Sequence, residues 1–163
     1  MKKLFIIAVI TATFFYIVGC GKSNTTATTT CTPTPVSTDS SALLNFASAN
    51  SITPTKDASG MYYQIMSVGS GTSYPNGNSL VEVTYKGTLL NGTVFDSTAA
   101  GKTASFYLYQ LIAGWQIGLP KIKAGGRIKL LIPSALAYGC TGAGTIIPAN
   151  TPIYFDMTLV GFQ

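Results

Sequence analysis

Hydrophobic and polar residues alternate along three stretches of the chain. From Leu80 to Leu90, Val81, Val83 and Tyr85 fall on one side and Glu82, Thr84 and Lys86 on the other. Arg127 to Ile132 turns Ile128, Leu130 and Ile132 one way, and the last stretch repeats this with Ile153, Phe155, Met157 and Leu159. A period of two is that of a strand with one face buried. Met61 to Val68 mixes aromatic and β-favouring residues and predicts a further strand. Asn91-Gly92 predicts a tight hairpin from the Leu80 strand into Thr93-Val94-Phe95. Two segments break this pattern. Ser41 to Asn50 carries Leu43, Leu44, Phe46 and Ala47 as an apolar stripe behind Asp39 or Ser40 as cap, which predicts a short helix. It is too short for a dimerising stalk, so its stripe is expected to pack on the domain, and the chain is expected to be a monomer. Leu111 to Leu119 predicts a second helix, stopped at Pro120. Pro54 to Gly60 reads as a loop, and nothing repeats at a fixed period. Antiparallel strands with one helix on their inner face make a small α+β domain, placed at residues 61–163, with 39–60 as helix and linker.

Ahead of this domain the pattern changes twice. Lys2 and Lys3 precede the apolar run Leu4 to Val18, which is short for a membrane-spanning helix and fits the apolar core of an export signal. The run closes on Ile17-Val18-Gly19-Cys20, which resembles the lipobox of bacterial lipoproteins. That resemblance implies a signal peptide over residues 1–19 and diacylglycerol on the Cys20 thiol, with palmitate-type chains holding the protein to a membrane. Gly21, where an Asp would signal retention at an inner membrane, leans the expectation towards the outer membrane of a cell envelope. Residues 20–38 then form a Thr- and Ser-rich segment with almost nothing to bury, expected to be a disordered tether reaching roughly 25 Å.

Composition narrows the function. The 163 residues carry ten Lys and Arg against five Asp and Glu, and no His. Without Met1–Gly19 the balance is eight to five, and no dense basic run remains, which argues against nucleic-acid binding. The lack of His removes His-based triads, His-ligated metals and the usual general base. With Cys20 acylated, Cys31 and Cys140 remain as an even pair. An oxidising compartment would permit a disulfide between them, pinning the tether to a loop of the domain; two free thiols are the alternative.

Several segments, taken in order, resemble the FKBP family of prolyl isomerases: Val83-Thr84-Tyr85-Lys86-Gly87, Asn91-Gly92-Thr93-Val94-Phe95-Asp96-Ser97, Ile112-Ala113-Gly114-Trp115, Ile132-Pro133 with Ala137-Tyr138-Gly139, Ile146-Ile147-Pro148-Ala149-Asn150, and Phe155-Asp156. The resemblance covers residues 61–163 and implies a twisted antiparallel sheet wrapped around one short helix. It implies that Trp115 floors a pocket for a proline ring, with Tyr85, Phe95 and Phe155 as walls and Leu111 and Ile112 beside it. The Ile112 N–H and the Tyr138 hydroxyl would donate to substrate carbonyls, Asp96 would be the pocket carboxylate, and Ile146 and Ile147 would belong to a flap. The chain departs from the best-known eukaryotic members at Ala104, in place of an extra aromatic wall, and at Ala143, where a flap His is common. It also lacks an Arg after Asp96, leaving Lys102 as the nearby cation. These changes are expected to open the pocket.

The implied chemistry suits those residues. Rotation about a peptide bond faces a barrier of roughly 18 to 20 kcal/mol, since the nitrogen lone pair is shared with the carbonyl. In the twisted transition state that conjugation and part of the amide dipole are lost. An apolar cavity should therefore favour the twisted state over the planar one, with no nucleophile, metal, cofactor or strong base. The substrates implied are X-Pro bonds in exported polypeptides. A proline-peptide binding or chaperone module without turnover is the alternative, and a β-type binder of a small ligand is a third. By composition alone Trp115, Tyr85 and Phe155 would pass as core, and Asp96 as a turn residue. Ile146 and Ile147, two aliphatics expected exposed on a Gly-rich loop, are harder to assign to packing alone.

Overall fold

The two longest runs of alternation form two ten-residue strands at the centre of one sheet. In a computed structural model, which describes residues 31–163, the elements are α1 Ser40–Ala49, β1 Thr55–Lys56, β2 Tyr62–Ser67, β3 Leu80–Leu89, β4 Val94–Ser97, β5 Ala104–Tyr107, α2 Ala113–Gly118, β6 Gly126–Ile132 and β7 Ile153–Phe162. The sheet order is β1-β2-β6-β7-β3-β4, with β5 also on β3. All pairings are antiparallel. β7 pairs along β3 on one side and along β6 on the other. The free edge of β3 is shared: β5 pairs Leu80 to Val83 and β4 pairs Lys86 to Thr88. Between them Thr98 serves Tyr85, whose N–H donates to Thr98 Oγ1 at 3.1 Å while the Thr98 N–H donates to the Tyr85 carbonyl at 3.0 Å. Register shifts at Glu82/Val83 and Gly87/Thr88 bend β3.

The period of two puts Val81, Val83, Ile128, Leu130, Ile132, Ile153, Met157 and Leu159 on the inner face, fully buried. α2 lies against them. A six-residue helix is unstable alone, so packing must hold it. It comes close because Gly114 has no side chain: a Cβ there would lie 2.6 Å from Ile132 Cδ1. The helix ends in a tight turn, Leu119–Lys121, that contains Pro120.

The opposite face carries a second apolar layer that alternation alone did not reveal. α1 begins at Ser40 and buries Leu43 and Ala47 with Ile52, Tyr62 and Leu131. Phe46 stacks at 5.1 Å on Tyr154, whereas Leu44 of the expected stripe is exposed. The loop expected at Pro54–Gly60 contains β1, paired with Tyr62 and Tyr63. Asp57 in that turn binds Lys121 at 2.6 Å, and this partner holds its carboxyl down at a pKa of about 2.

The boundary expected at residue 38 moves. Residues 31–163 form one compact unit, so the segment read as the end of a tether belongs to the fold. Cys31 and Cys140 are joined in a disulfide, with Cα atoms 5.3 Å apart. Thr34 Oγ1 lies 3.2 Å from Ser134 Oγ. Asp39 precedes α1 but caps nothing with its side chain. Its Oδ2 instead accepts bonds from the Ser134 N–H and hydroxyl, both at 2.7 Å. Covalent and polar ties supply here what a Thr-rich segment cannot supply by burial. The leader, Cys20 and residues 21–30 lie outside the described residues. No helix among the described residues is long and apolar enough to cross a membrane.

Candidate active site

Trp115 projects from α2 onto the concave face, and the aromatic residues of β3, β5 and β7 close around it. Its ring meets Tyr85 at 5.0 Å and 77°, Phe155 at 5.0 Å and 84°, and Phe106 at 6.2 Å and 80°. These are edge-to-face contacts, the favoured arrangement for ring quadrupoles. Phe155 also meets Phe95 edge-on at 5.4 Å. Gly87, opposite Phe155 in the ladder, makes this possible, since a Cβ there would fall 2.6 Å from Phe155 and 2.7 Å from Phe95.

Above the indole lies a cavity of about 130 Å³ lined by Tyr85, Asp96, Phe106, Leu111, Ile112, Trp115, Tyr138 and Phe155. Drug-sized sites usually span 300 Å³ or more, so this cavity fits a single small ring. The family resemblance already implies each of these lining residues except Phe106. That residue sits in a four-residue strand, too brief for its alternation to stand out. It shares a face with Ala104, two positions earlier, so an aromatic ring walls the side that Ala104 was expected to open.

The polar groups are few and arranged in sequence. The Tyr85 hydroxyl donates to Asp96 Oδ2 at 2.7 Å. Burial, and then this bond and the charge on Asp96, push the Tyr85 hydroxyl pKa well above its ordinary value. Burial and Asp96 likewise raise the pKa of Tyr138, whose hydroxyl has no hydrogen-bond partner among the described residues. Neither phenol is easily ionised, so each remains a donor. Among the described residues no cation pairs with Asp96, Lys102 included. Ile112 stands just before the first turn of α2, where N–H groups have no partner within the helix; its carbonyl accepts from Trp115 and Gln116. The buried indole N–H of Trp115 has no hydrogen-bond partner among the described residues.

A groove of about 410 Å³ adjoins the cavity and shares Asp96 and Tyr138 with it. Phe95, Ala143, Gly144, Thr145, Ile146 and Ile147 complete it. Ala143 and Ile147 pair through two backbone bonds, 2.9 and 3.1 Å, which make the flap a tight hairpin. The expectation of two exposed aliphatics needs correcting. Ile146 is 48% exposed, but Ile147 is only 5% exposed and joins the inner core, because the hairpin turns it inward. A further recess of about 420 Å³ lies across Thr84, Lys86, Arg127, Asp156 and Thr158. Arg127 grips Asp156 there with two bonds of 2.9 and 2.7 Å, so its charges already serve each other.

Residues 71–160 match the sequence pattern of the FKBP-type peptidyl-prolyl cis-trans isomerase family. The chain is 44% identical over 109 residues to the FKBP-type isomerase FkpA of Buchnera aphidicola, covering 66% of this chain and 43% of that protein. It thus spans less than half the length of that relative. The crystal structure of FkpA from Escherichia coli superimposes with a TM-score of 0.68 at 34% identity, over 78% of this chain and 61% of the other. A peptidyl-prolyl isomerase from Pseudomonas syringae pv. tomato superimposes with a TM-score of 0.66 at 30% identity, over 81% and 98%.

Proposed function

This chain belongs to the FKBP-type peptidyl-prolyl cis-trans isomerase family, and from that premise we propose that it accelerates rotation about X-Pro bonds in polypeptides. The observation that carries the proposal is the cavity itself: small, aromatic, floored by Trp115, with a Tyr138 hydroxyl at its wall that is unbonded among the described residues. A proline ring bound over the indole leaves water, and with it goes the solvent that favours the planar, dipolar amide. The Tyr138 hydroxyl and the Ile112 N–H hold the flanking carbonyls, so the bond turns within a fixed frame. Asp96 acts through Tyr85, holding the phenol that forms part of the wall. No proton leaves the substrate, which suits a site whose titratable groups are two phenols and one carboxylate.

A coupled proline-peptide assay on the full chain tests this. Wild type should relax the cis population well above the buffer rate, and Tyr138→Phe should lower kcat/KM by about tenfold, as for one lost hydrogen bond of roughly 1.4 kcal/mol. A wild-type rate equal to buffer alone would leave only the binding-module reading.

We also propose that Cys20 is the lipid attachment site and that the protein resides in the cell envelope. Support comes from Lys2, Lys3, the apolar run and Ile17-Val18-Gly19-Cys20. Mass spectrometry of membrane-derived protein should find diacylglycerol on Cys20, and Cys20→Ser should move the chain to the soluble fraction. An unmodified Cys20 in the mature protein would refute the anchor.

A further inference from the structure

We propose that the N-terminal segment Cys31–Asp39 is a strap that positions Tyr138, with Asp39 as its principal positioning residue; this rests on the isomerase reading of the same cavity. Tyr138 reaches the cavity from the stretch between β6 and the flap. The backbone bonds of that stretch are mostly local: Leu136 N–H to Pro133, Ala137 N–H to Ser134, Gly142 N–H to Tyr138. Its backbone bond to a later segment is Asn150 N–H to the Gly139 carbonyl at 2.8 Å. The remaining polar and covalent ties run to the strap, and they bracket Tyr138. Before it, Ser134 is fully buried and donates both its N–H and its hydroxyl to Asp39, with Thr34 against the same hydroxyl. After it, Cys140 is bonded to Cys31, whose Sγ also lies 3.5 Å from Thr141 Oγ1.

Asp39 is 8% exposed, and its carboxylate is spent on a residue that does not touch the cavity. Burying a carboxylate is costly unless it is fully engaged. Its bonds set where the turn Ser134–Leu136 begins, and hence where the Tyr138 hydroxyl stands against Asp96 and the substrate. A hydroxyl displaced by about 1 Å would lose most of its bond to a substrate carbonyl.

The experiment is a double-mutant cycle on the full chain. Asp39→Ala should lower kcat/KM about fivefold, mainly in kcat, as for a weakened hydrogen bond in the transition state. In the Tyr138→Phe background the same substitution should change kcat/KM by less than about twofold, because the group it positions is gone. Unfolding midpoints should fall equally in both backgrounds. Asp39→Asn keeps an acceptor and should restore most of the rate. Equal activity losses in both backgrounds would make the strap a stability element only and overturn the proposal. If Asp39→Ala does not fold, Cys31→Ser with Cys140→Ser releases the second tie and carries the same cycle. Hydrogen exchange over residues 134–141 separates this idea from the isomerase reading. Faster exchange in Asp39→Ala supports anchoring even if the wild type is inactive, and unchanged exchange overturns it.

Discussion

On the concave side of the sheet, Trp115, Phe155 and their neighbours are fixed by apolar burial and edge-on ring contacts. On the N-terminal side, residues 31–39 are fixed by a disulfide and by side-chain bonds to Ser134. The first region shapes the cavity; the second holds the loop that brings one polar group to it. On the proposed function the contrast is a division of tasks: non-directional burial makes a pocket that would tolerate a turning ring, and directional bonds would place the donor for a substrate carbonyl.

Changes on each side should therefore fail differently. The largest effect is expected from Trp115→Ala, which removes a 4%-exposed ring at the centre of the aromatic cluster. Chemical unfolding should show a loss of about 3 to 5 kcal/mol together with lost activity. Replacing Cys31 and Cys140 by Ser opens a covalent loop with a sequence separation of 109 and should destabilise by about 2 to 4 kcal/mol. The cavity should keep most of its affinity for a proline peptide in this variant, measured by Trp115 fluorescence, since the Trp115, Phe155 and Phe106 rings, unlike Tyr138, do not depend on the strap. If affinity vanished as well, the two regions would not be separable.

A smaller effect concerns acid. Asp57 is held at a pKa of about 2 by Lys121, below its ordinary 3.8. A depressed carboxylate stabilises the fold fully above its unfolded pKa and loses that contribution as pH falls from near 4 through about 2. The pair is partly exposed, so screening leaves on the order of 1 kcal/mol. Asp57→Asn should remove that part of the acid dependence in unfolding curves taken from pH 2 to 5 and leave isomerase activity unchanged.

The same division governs what could be read before the structure. Strands β3, β6 and β7, the helix carrying Trp115 and most of the cavity residues follow from period-two burial and from motif resemblance, both local signals. Phe106 escaped because a four-residue strand gives only two cycles of alternation. The burial of Ile147 escaped because it depends on a hairpin bond with Ala143. The Asp39–Ser134 bond joins residues 95 positions apart, and no pattern along a chain announces such a pairing. Asp39 looked like a helix cap because caps and buried acceptors use the same side chain.

The proposed site favours a twisted amide without moving a proton. The most direct test is kcat/KM for a model prolyl peptide measured from pH 5 to 9. With no His in the chain and the pKa values of Tyr85 and Tyr138 raised above their ordinary values, the profile should be flat within about twofold and well above the buffer rate throughout. A bell-shaped profile centred near neutrality, or a rate no greater than buffer, would contradict it.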